Sequence, residues 1–431
     1  MRPALPNRGG RAGAVPVRPE PVPFVPGGAV EPSEQRRPRG GFATRAVQGA
    51  VAPTPDQHPV SVPIHPSATW AVDRSREVAD LLDDRLPGYV YGRYDNPTNT
   101  ALHGVVASLH DAPAAWATAS GTVAIHAALA HLRGDGRVLA ADHLYGGTVA
   151  LLRRLAVEAG WAVDTAPLLT AADLEAALTD AHSVVHVETV ANPSAAIADL
   201  PALAAVCRAR GVALVVDNTF ASPVSCRPLT FGATAVVESA TKALGGHGDV
   251  VAGVVAGGED LVAGVRHHVI EYGGSLGPFE AWLVQRGIQT LHLRVRQACA
   301  NATVVAAALA DGGVPVSHPS RPGHPQHALV DTVLGGLPGA TFAFDLPTRE
   351  AAEAFADACE VFQRAVSLGG THSLVLHPGS TTHRQLSDAE LRAAGMGPGT
   401  VRLSVGIEEV DDLVADVRRG LAAAVGADPL R

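Results

Sequence analysis

The sequence predicts an α/β fold: a mostly parallel central sheet flanked by helices, followed by a smaller α+β C-terminal domain. Three observations carry this reading. From Thr118 to Asp217, short apolar runs alternate with helical patterns, as parallel strands joined by crossover helices require. Gly134, Gly160 and Gly211 each stand where one of those helical patterns must stop. After Leu291-His292-Leu293-Arg294 the alternation gives way to longer helices and scattered strand candidates.

Residues 1–40 are rich in Pro, Gly and Arg, with Phe24 their only aromatic. Such a segment cannot bury enough apolar surface to offset its ordering entropy, so a disordered tail is expected, and it lacks the apolar core of a secretory signal. Ser120 is a natural N-cap for a helix Gly121–Leu132, and Arg137–Ala141 reads as a short buried strand. Thr148–Ala159 is helical, Trp161–Thr165 and Ser183–Glu188 read as strands, and Ala171–Leu178 is a helix between them. Pro201–Arg210 is the next helix and Val212–Asp217 the next strand. Beyond these come a long helix Arg294–Leu309, a Pro/Gly/His-rich stretch 312–327, strands Thr341–Phe344 and Val401–Val405, and helices Arg349–Phe362 and Val410–Ala424.

Composition narrows the function classes. Across 431 residues, 47% are hydrophobic and 17% charged, which fits a well-packed enzyme. A net charge of −9 without a long basic run argues against nucleic acid as partner. The four cysteines are widely spaced and form no C-x-x-C pair, so neither a disulfide framework nor a zinc site is indicated. Reduced thiols in a cytoplasmic protein are the simplest reading. No apolar stretch approaches the ~18 residues of a membrane span. His267-His268 and His292 lack metal-ligand spacing, so no metal is expected, and no G-x-G-x-x-G suggests a dinucleotide.

The chemistry concentrates at Ser239-Ala240-Thr241-Lys242, downstream of a buried run that ends at Asp217. A lysine amine can condense with the aldehyde of pyridoxal 5'-phosphate (PLP), and neighbouring hydroxyls can donate to its phosphate. A strand-end carboxylate can pair with the ring nitrogen and keep the ring an electron sink. Alone, this tetrapeptide is as often an ordinary surface lysine after a Ser/Thr turn. Other segments add to it. Ser120-Gly121-Thr122 opens a helix whose free N–H groups suit a phosphate, or simply caps that helix. Tyr145, just after a strand, can stack on a pyridine ring or serve as an ordinary core tyrosine. Arg402 lies in the apolar run Val-Arg-Leu-Ser-Val, where its planar fork suits a substrate carboxylate, a structural ion pair being the competing account.

In this order the segments resemble the Cys/Met-metabolism PLP enzymes: cystathionine γ-lyases and γ-synthases, methionine γ-lyases and homoserine-ester sulfhydrylases. The matching stretches include Tyr91-Gly92-Arg93, Asn96-Pro97-Thr98, Ser120-Gly121, Tyr145-Gly146 and Glu188 to Pro193. They continue with Asp217 to Phe220, Ser239 to Lys242, Arg286-Gly287, Ser367 to Gly370, Thr382-His383 and Arg402 to Gly406. The resemblance runs from about Gly41 to the last helix. It implies PLP-dependent transferase fold type I, with an N-terminal arm (41–95) contacting a neighbouring subunit, a PLP-binding domain (96–293) and a C-terminal domain (294–431).

It also implies roles. Lys242 carries PLP and moves protons, and Asp217 pairs with the ring nitrogen. Gly121, Thr122, Ser239 and Thr241 hold the phosphate, with Tyr91 and Arg93 reaching it from the neighbouring subunit. Tyr145 stacks on the ring and assists the leaving group, Asn192 contacts the 3-hydroxyl, and Glu188 supports it. Arg402 and Ser367 bind the substrate carboxylate. A homo-oligomer follows, a dimer of active sites paired into a tetramer.

Departures fall in the outer pocket. His372 stands where transsulfuration members commonly hold Glu, and Gly147 where methionine γ-lyases carry a Cys. Ala243 replaces a frequent aromatic, Glu238 an aromatic, polar or His residue, and Thr122 a common Met. The expected function is γ-elimination from a γ-substituted L-amino acid, of the cystathionine γ-lyase type or with a halide leaving group on a specialised substrate. The alternatives are a γ-replacement synthase and, remotely, an inactive scaffold.

Overall fold

The computed structural model describes residues 40–51, 59–382, 384 and 396–426. The expected tail, apart from Gly40, and His383 lie outside the described residues.

A seven-stranded sheet forms the centre. Its strands are β1 (Ala114–Thr118), β2 (Arg137–Ala141), β3 (Val163–Ala166), β4 (His182–Glu188), β5 (Ala213–Asp217), β6 (Ala235–Glu238) and β7 (Gly253–Gly257). Their order is β1-β7-β6-β5-β4-β2-β3, with β7 antiparallel to both neighbours and the others parallel. The middle strands are covered on both faces. Val184, Val185, Leu214, Val215, Val216, Val236 and Val237 are all at most 1% exposed. Continuous rather than alternating apolar runs are what a doubly covered parallel sheet demands.

The helix Gly121–Arg133 starts as read, with the Ser120 side chain accepting from the Val123 N–H, and the helix Leu200–Arg210 ends at Gly211 with φ of 63°. Thr170 and Asp173 form a reciprocal capping box on the helix Ala171–Ala177. Several boundaries shift from the sequence reading by one residue or more, three of them as follows. The strand placed at Trp161 begins at Val163, and the helix extended to Phe362 stops at Ala358. The helix placed from Arg294 begins at Leu291 and runs to Asp311. Strands β1, β6 and β7 carry no clear pattern in the sequence, since each has four or five residues built largely of Ala, Gly and Val.

A second sheet has β8 (Val316–Ser317), β9 (Thr341–Asp345), β10 (Gln363–Arg364), β11 (Leu374–Leu376) and β12 (Thr400–Ser404) in the order β10-β11-β12-β9-β8. Only β10 and β11 run parallel. Helices Arg349–Ala358 and Val410–Gly426 pack through Phe355, Leu413 and Val417, each fully buried. Asp416 on the last helix accepts from the N–H groups of Glu360, Val361 and Phe362 at 2.8–2.9 Å, which fixes the turn into β10.

The turn bearing Lys242 is held from below. Arg294 is buried and donates to Ala243 O (2.8 Å), Gly287 O (2.6 Å) and Thr290 Oγ1 (3.0 Å). Gly287, inside the helix Pro278–Gln289, lies so close that an added Cβ would sit 2.2 Å from Gly245 O and 2.6 Å from Leu244 O. Gly287→Ala tests this contact. Helix propensity alone would favour Ala by about 1 kcal/mol, but overpacking against backbone costs about 1–3 kcal/mol. Denaturant unfolding is expected to show net destabilisation.

Candidate active site

A cavity of about 320 Å³ opens where β4, β5 and β6 end. It is lined by Gly121, Thr122, Tyr145, Glu188, Asn192, Asp217, Ser239, Thr241, Lys242, Ser367 and Arg402, so residues far apart in sequence meet at one place. Ligands collect at the carboxyl ends of strands in open α/β sheets because the crossover loops diverge there.

One end of the cavity is a cradle for an anion. The first N–H groups of the helix Gly121–Arg133 have no intrahelical partner and carry the positive end of its dipole. That helix end abuts Ser239: a Cβ on Gly121 would lie 2.8 Å from Ser239 Cβ, so only glycine fits. Thr241 Oγ1 bridges to Ala252, donating to its carbonyl (3.2 Å) and accepting from its N–H (3.0 Å).

The middle holds two carboxyls. Glu188 and Asp217 face one another across the β4–β5 ladder. Burial, and for Glu188 also the neighbouring Asp217 charge, pushes both above the usual carboxylate range. Glu188 Oε1 accepts from the Tyr145 N–H at 2.6 Å. Asp217 Oδ1 accepts from the N–H (3.0 Å) and hydroxyl (2.5 Å) of Thr219, and Thr219 Oγ1 accepts from the Ser239 N–H at 2.8 Å. Thr219 thus ties the Asp217 strand end to the Lys242 turn. Sequence reasoning gave it no role, although a Thr two residues after an Asp is a signal for this local bond.

The other end is cationic. Burial and then the Arg402 charge lower the Lys242 amine below its ordinary value, and its Nζ donates to Ser367 Oγ at 2.8 Å. Arg402 is buried in β12, and burial lowers it to about 10. Its Nη2 donates to Ser367 O (2.9 Å) and its Nη1 reaches Asn192 Oδ1 (3.5 Å), while Nε has no partner among the described residues. These partners are neutral oxygens, so the guanidinium is not spent on a structural ion pair. Ser367 adopts φ of 96°, a conformation rare outside glycine, and through it one residue serves both cations.

Tyr145 lines the cavity while half-exposed, and sits at the start of the helix Gly146–Glu158. Three of the predicted site residues are not on the wall, and Gly147, Ala243 and Glu238, expected in the outer pocket, are off it too. Tyr91 is exposed, and Arg93 donates to Ile270 O at 2.6 Å. His372, expected beside the substrate, is exposed and 3.2 Å from the Thr371 hydroxyl. The cause is local: Glu408 grips Ser373 at its N–H (2.6 Å) and hydroxyl (2.7 Å), and Thr371 N–H is held by Gly246 O at 2.9 Å, which leaves residue 372 to solvent. Val251, Phe220, Val366, Leu368 and Thr382 also line the wall, as do Ser120, Ile125, Val190 and Thr219.

The anion cradle, the half-buried lysine and the strand-end aspartate fit PLP, and with this fold they define a PLP-dependent enzyme of fold type I. Comparison with known proteins sharpens the class. A profile described as "Cys/Met metabolism PLP-dependent enzyme" matches residues 43–422, and the chain belongs to that family. It is 39% identical over 390 residues to an L-methionine gamma-lyase of Pseudomonas putida, covering 89% of this chain and 98% of that one. It is 37% identical over 388 residues to a cystathionine gamma-synthase of Mycobacterium bovis, covering 88% and 97%. The solved cystathionine gamma-lyase of Micromonospora echinospora superposes with a TM-score of 0.83 at 38% identity, covering 89% of this chain and all of that one. No helix among the described residues is long and apolar enough to cross a membrane.

The raised carboxyls set a pH dependence for the protein stripped of PLP. A carboxyl whose folded pKa lies above its unfolded value binds more protons folded than unfolded, so its contribution is full at low pH and is lost as pH rises through the folded value. The melting temperature of the apoprotein is therefore expected to fall from the ordinary carboxylate range toward neutrality and beyond. Glu188→Gln should flatten that fall in thermal melts.

Proposed function

We propose that this protein catalyses elimination at the γ-carbon of a γ-substituted L-amino acid, with a neutral γ-substituent favoured. The observation that carries the reading is the pairing of a half-buried lysine amine with a buried arginine that has only neutral partners among the described residues, on the same wall of one cavity. PLP bound there supplies an electron sink for the pairs left when protons depart from the α- and β-carbons.

The cofactor would be held by Lys242 and Asp217, with Gly121, Thr122, Ser239 and Thr241 at its phosphate. Tyr145 would cover the ring and Asn192 its 3-hydroxyl, with Glu188 behind them. Arg402 orients the substrate by a bidentate hold on its carboxylate, which places the α-carbon within reach of Lys242. Lys242 can serve as base because burial disfavours its charged form, and Ser367 Oγ gives the amine a fixed resting place between two proton transfers. Tyr145 is placed to protonate the leaving group. Tyr91 and Arg93 fit a role at the phosphate of a second copy of the chain, in a cytoplasmic homotetramer.

A neutral substituent follows from the wall. Its acids, Glu188 and Asp217, belong to the ring end, and the remainder near the mouth is Val251, Val366, Leu368 and Thr382. Among the described residues a distal ammonium would find no carboxylate there, and His372 lies off the wall. A second reading, γ-replacement by a thiol, draws on the exposed mouth, where Val251 and Val366 are 61% and 64% exposed and a nucleophile can enter.

The test is a product assay on cystathionine, methionine, O-acyl-homoserines and γ-halogenated amino acids, each with and without thiol. Ammonia and a 2-oxo acid are expected without thiol, with cystathionine the poorest substrate. Thioether formed only when thiol is present would establish the synthase instead. Arg402→Lys is expected to raise KM about a hundredfold through loss of the bidentate hold, with the visible spectrum of the cofactor unchanged.

A further inference from the structure

Three adjacent parallel strands end in a carboxyl: β4 at Glu188 and β6 at Glu238, both buried, and β5 at Asp217, partly buried. Register separates them. Glu188 pairs with Asp217, and Asp217 pairs with Val237, so Glu238, one residue further, projects from the opposite face of the sheet. It is 2% exposed and lies off the cavity wall.

Behind the sheet Glu238 meets a closed polar cluster. Its Oε1 accepts from Asn218 Nδ2 at 2.8 Å and lies 3.4 Å from His110 Nε2. His110, which follows the helix Pro97–Leu109, is 1% exposed, and neither of its ring nitrogens makes a hydrogen bond among the described residues, so Glu238 Oε1 is a close polar neighbour of Nε2 at ion-pair distance. Asn218 is fully committed: Nδ2 also donates to Cys226 O (3.0 Å), and Oδ1 accepts from Thr189 Oγ1 (2.7 Å). The segments held in this way carry the site. Asn218 follows Asp217, and Glu238 precedes Ser239 of the Lys242 turn.

We propose that Glu238 and His110 form a net-neutral buried pair sharing one proton, and that this pair positions the Asp217 and Ser239 turns from behind the sheet. The inference rests on PLP occupying the cavity and not on which substituent is eliminated. With the proton on Glu238 the imidazole is neutral; with it on His110 the imidazolium faces a carboxylate. Both arrangements sum to zero. A carboxylate beside a neutral imidazole would instead bury a third negative charge near Asp217.

The surroundings favour neutrality. On the His110 side, Asp111 is paired with Arg227 (2.8 Å) and Arg45 (2.6 Å), and their charges act on His110 in opposite directions. On the Glu238 side stand Asp217 and the Cys226 thiol, the latter also near Arg227, and among the described residues no Lys or Arg pairs with Glu238. Burial raises Glu238 and lowers His110 to about 4, so of the two groups Glu238 is the favoured holder of the proton. Glu238 and His110 are thus positioning residues, acting through Asn218.

The test compares holoenzyme of the wild type, Glu238→Gln, Glu238→Leu and His110→Gln by PLP affinity and by the pH midpoint of the cofactor's visible band. Gln at 238 keeps an oxygen for Asn218 and carries no charge, so its affinity and midpoint are expected to match wild type within about half a pH unit. Leu strands the Asn218 N–H and is expected to weaken PLP binding about tenfold or more. His110→Gln should leave the midpoint in place, because Glu238 keeps its own proton. Wild-type PLP affinity in Glu238→Leu would overturn the positioning role. A midpoint displaced by a full unit in Glu238→Gln or His110→Gln would overturn neutrality, and these two variants decide that point even if the Leu variant fails to fold. A wild type with no visible band would instead remove the cofactor reading itself.

Discussion

Charged and titratable groups buried at the ends of apolar strands are the constraint around which this molecule is arranged. Lys242, Arg402, Glu188 and Asp217 share one cavity that opens against a core of Val, Ala and Leu. An uncompensated buried charge costs several kcal/mol, a large part of the roughly 5–15 kcal/mol that separates a folded domain from its unfolded chain. The site survives because each group is either shifted toward neutrality or held by fixed dipoles. Burial raises the two acids and lowers the lysine, and the same shifts prepare them for proton transfer.

Holding those groups in place requires rigid support, and the fold supplies it from several directions. The doubly covered strands β4, β5 and β6 fix where Glu188, Asp217 and Glu238 stand. Arg294 and the close approach of Gly287 seat the turn that carries Lys242. From the second sheet, the segment between β10 and β11 docks on the same turn, with Thr371 N–H on Gly246 O and Gly369 against Ala243. Ser367 lies in that segment. Its unusual backbone conformation costs about 1–3 kcal/mol, and in exchange it joins Lys242 and Arg402 across the two sheets.

Under the proposed function, specificity would fall to a different part of the wall. The cofactor end is crowded with fixed polar groups, while Val251, Val366, Leu368 and Thr382 line the cavity from three separate segments. Residues there answer to the size and polarity of the substrate and carry little of the fold, so they can vary while the anion cradle and the strand-end acids stay fixed. The same cofactor chemistry can thus serve different leaving groups.

Much of this was legible in the chain alone, for reasons of local physics. A strand ends at Asp217 because an apolar run stops at a carboxyl, a helix starts at Ser120 because a hydroxyl caps it, and Arg402 stands out because a guanidinium inside an apolar run needs an anion or a compensating carbonyl. Each is a statement about a few neighbouring residues. What tertiary structure alone decided depends on register and on distant segments meeting. Strand parity sends Glu238 to the face opposite Asp217, the grip of Glu408 on Ser373 turns His372 outward, and Thr219 bridges Asp217 to Ser239. Arg402 finds only neutral partners because segments near 192 and 367 converge on it. None of these can be read from spacing, because a one-residue change in pairing reverses every face, and side chains hundreds of positions apart leave no mark on one another's local pattern.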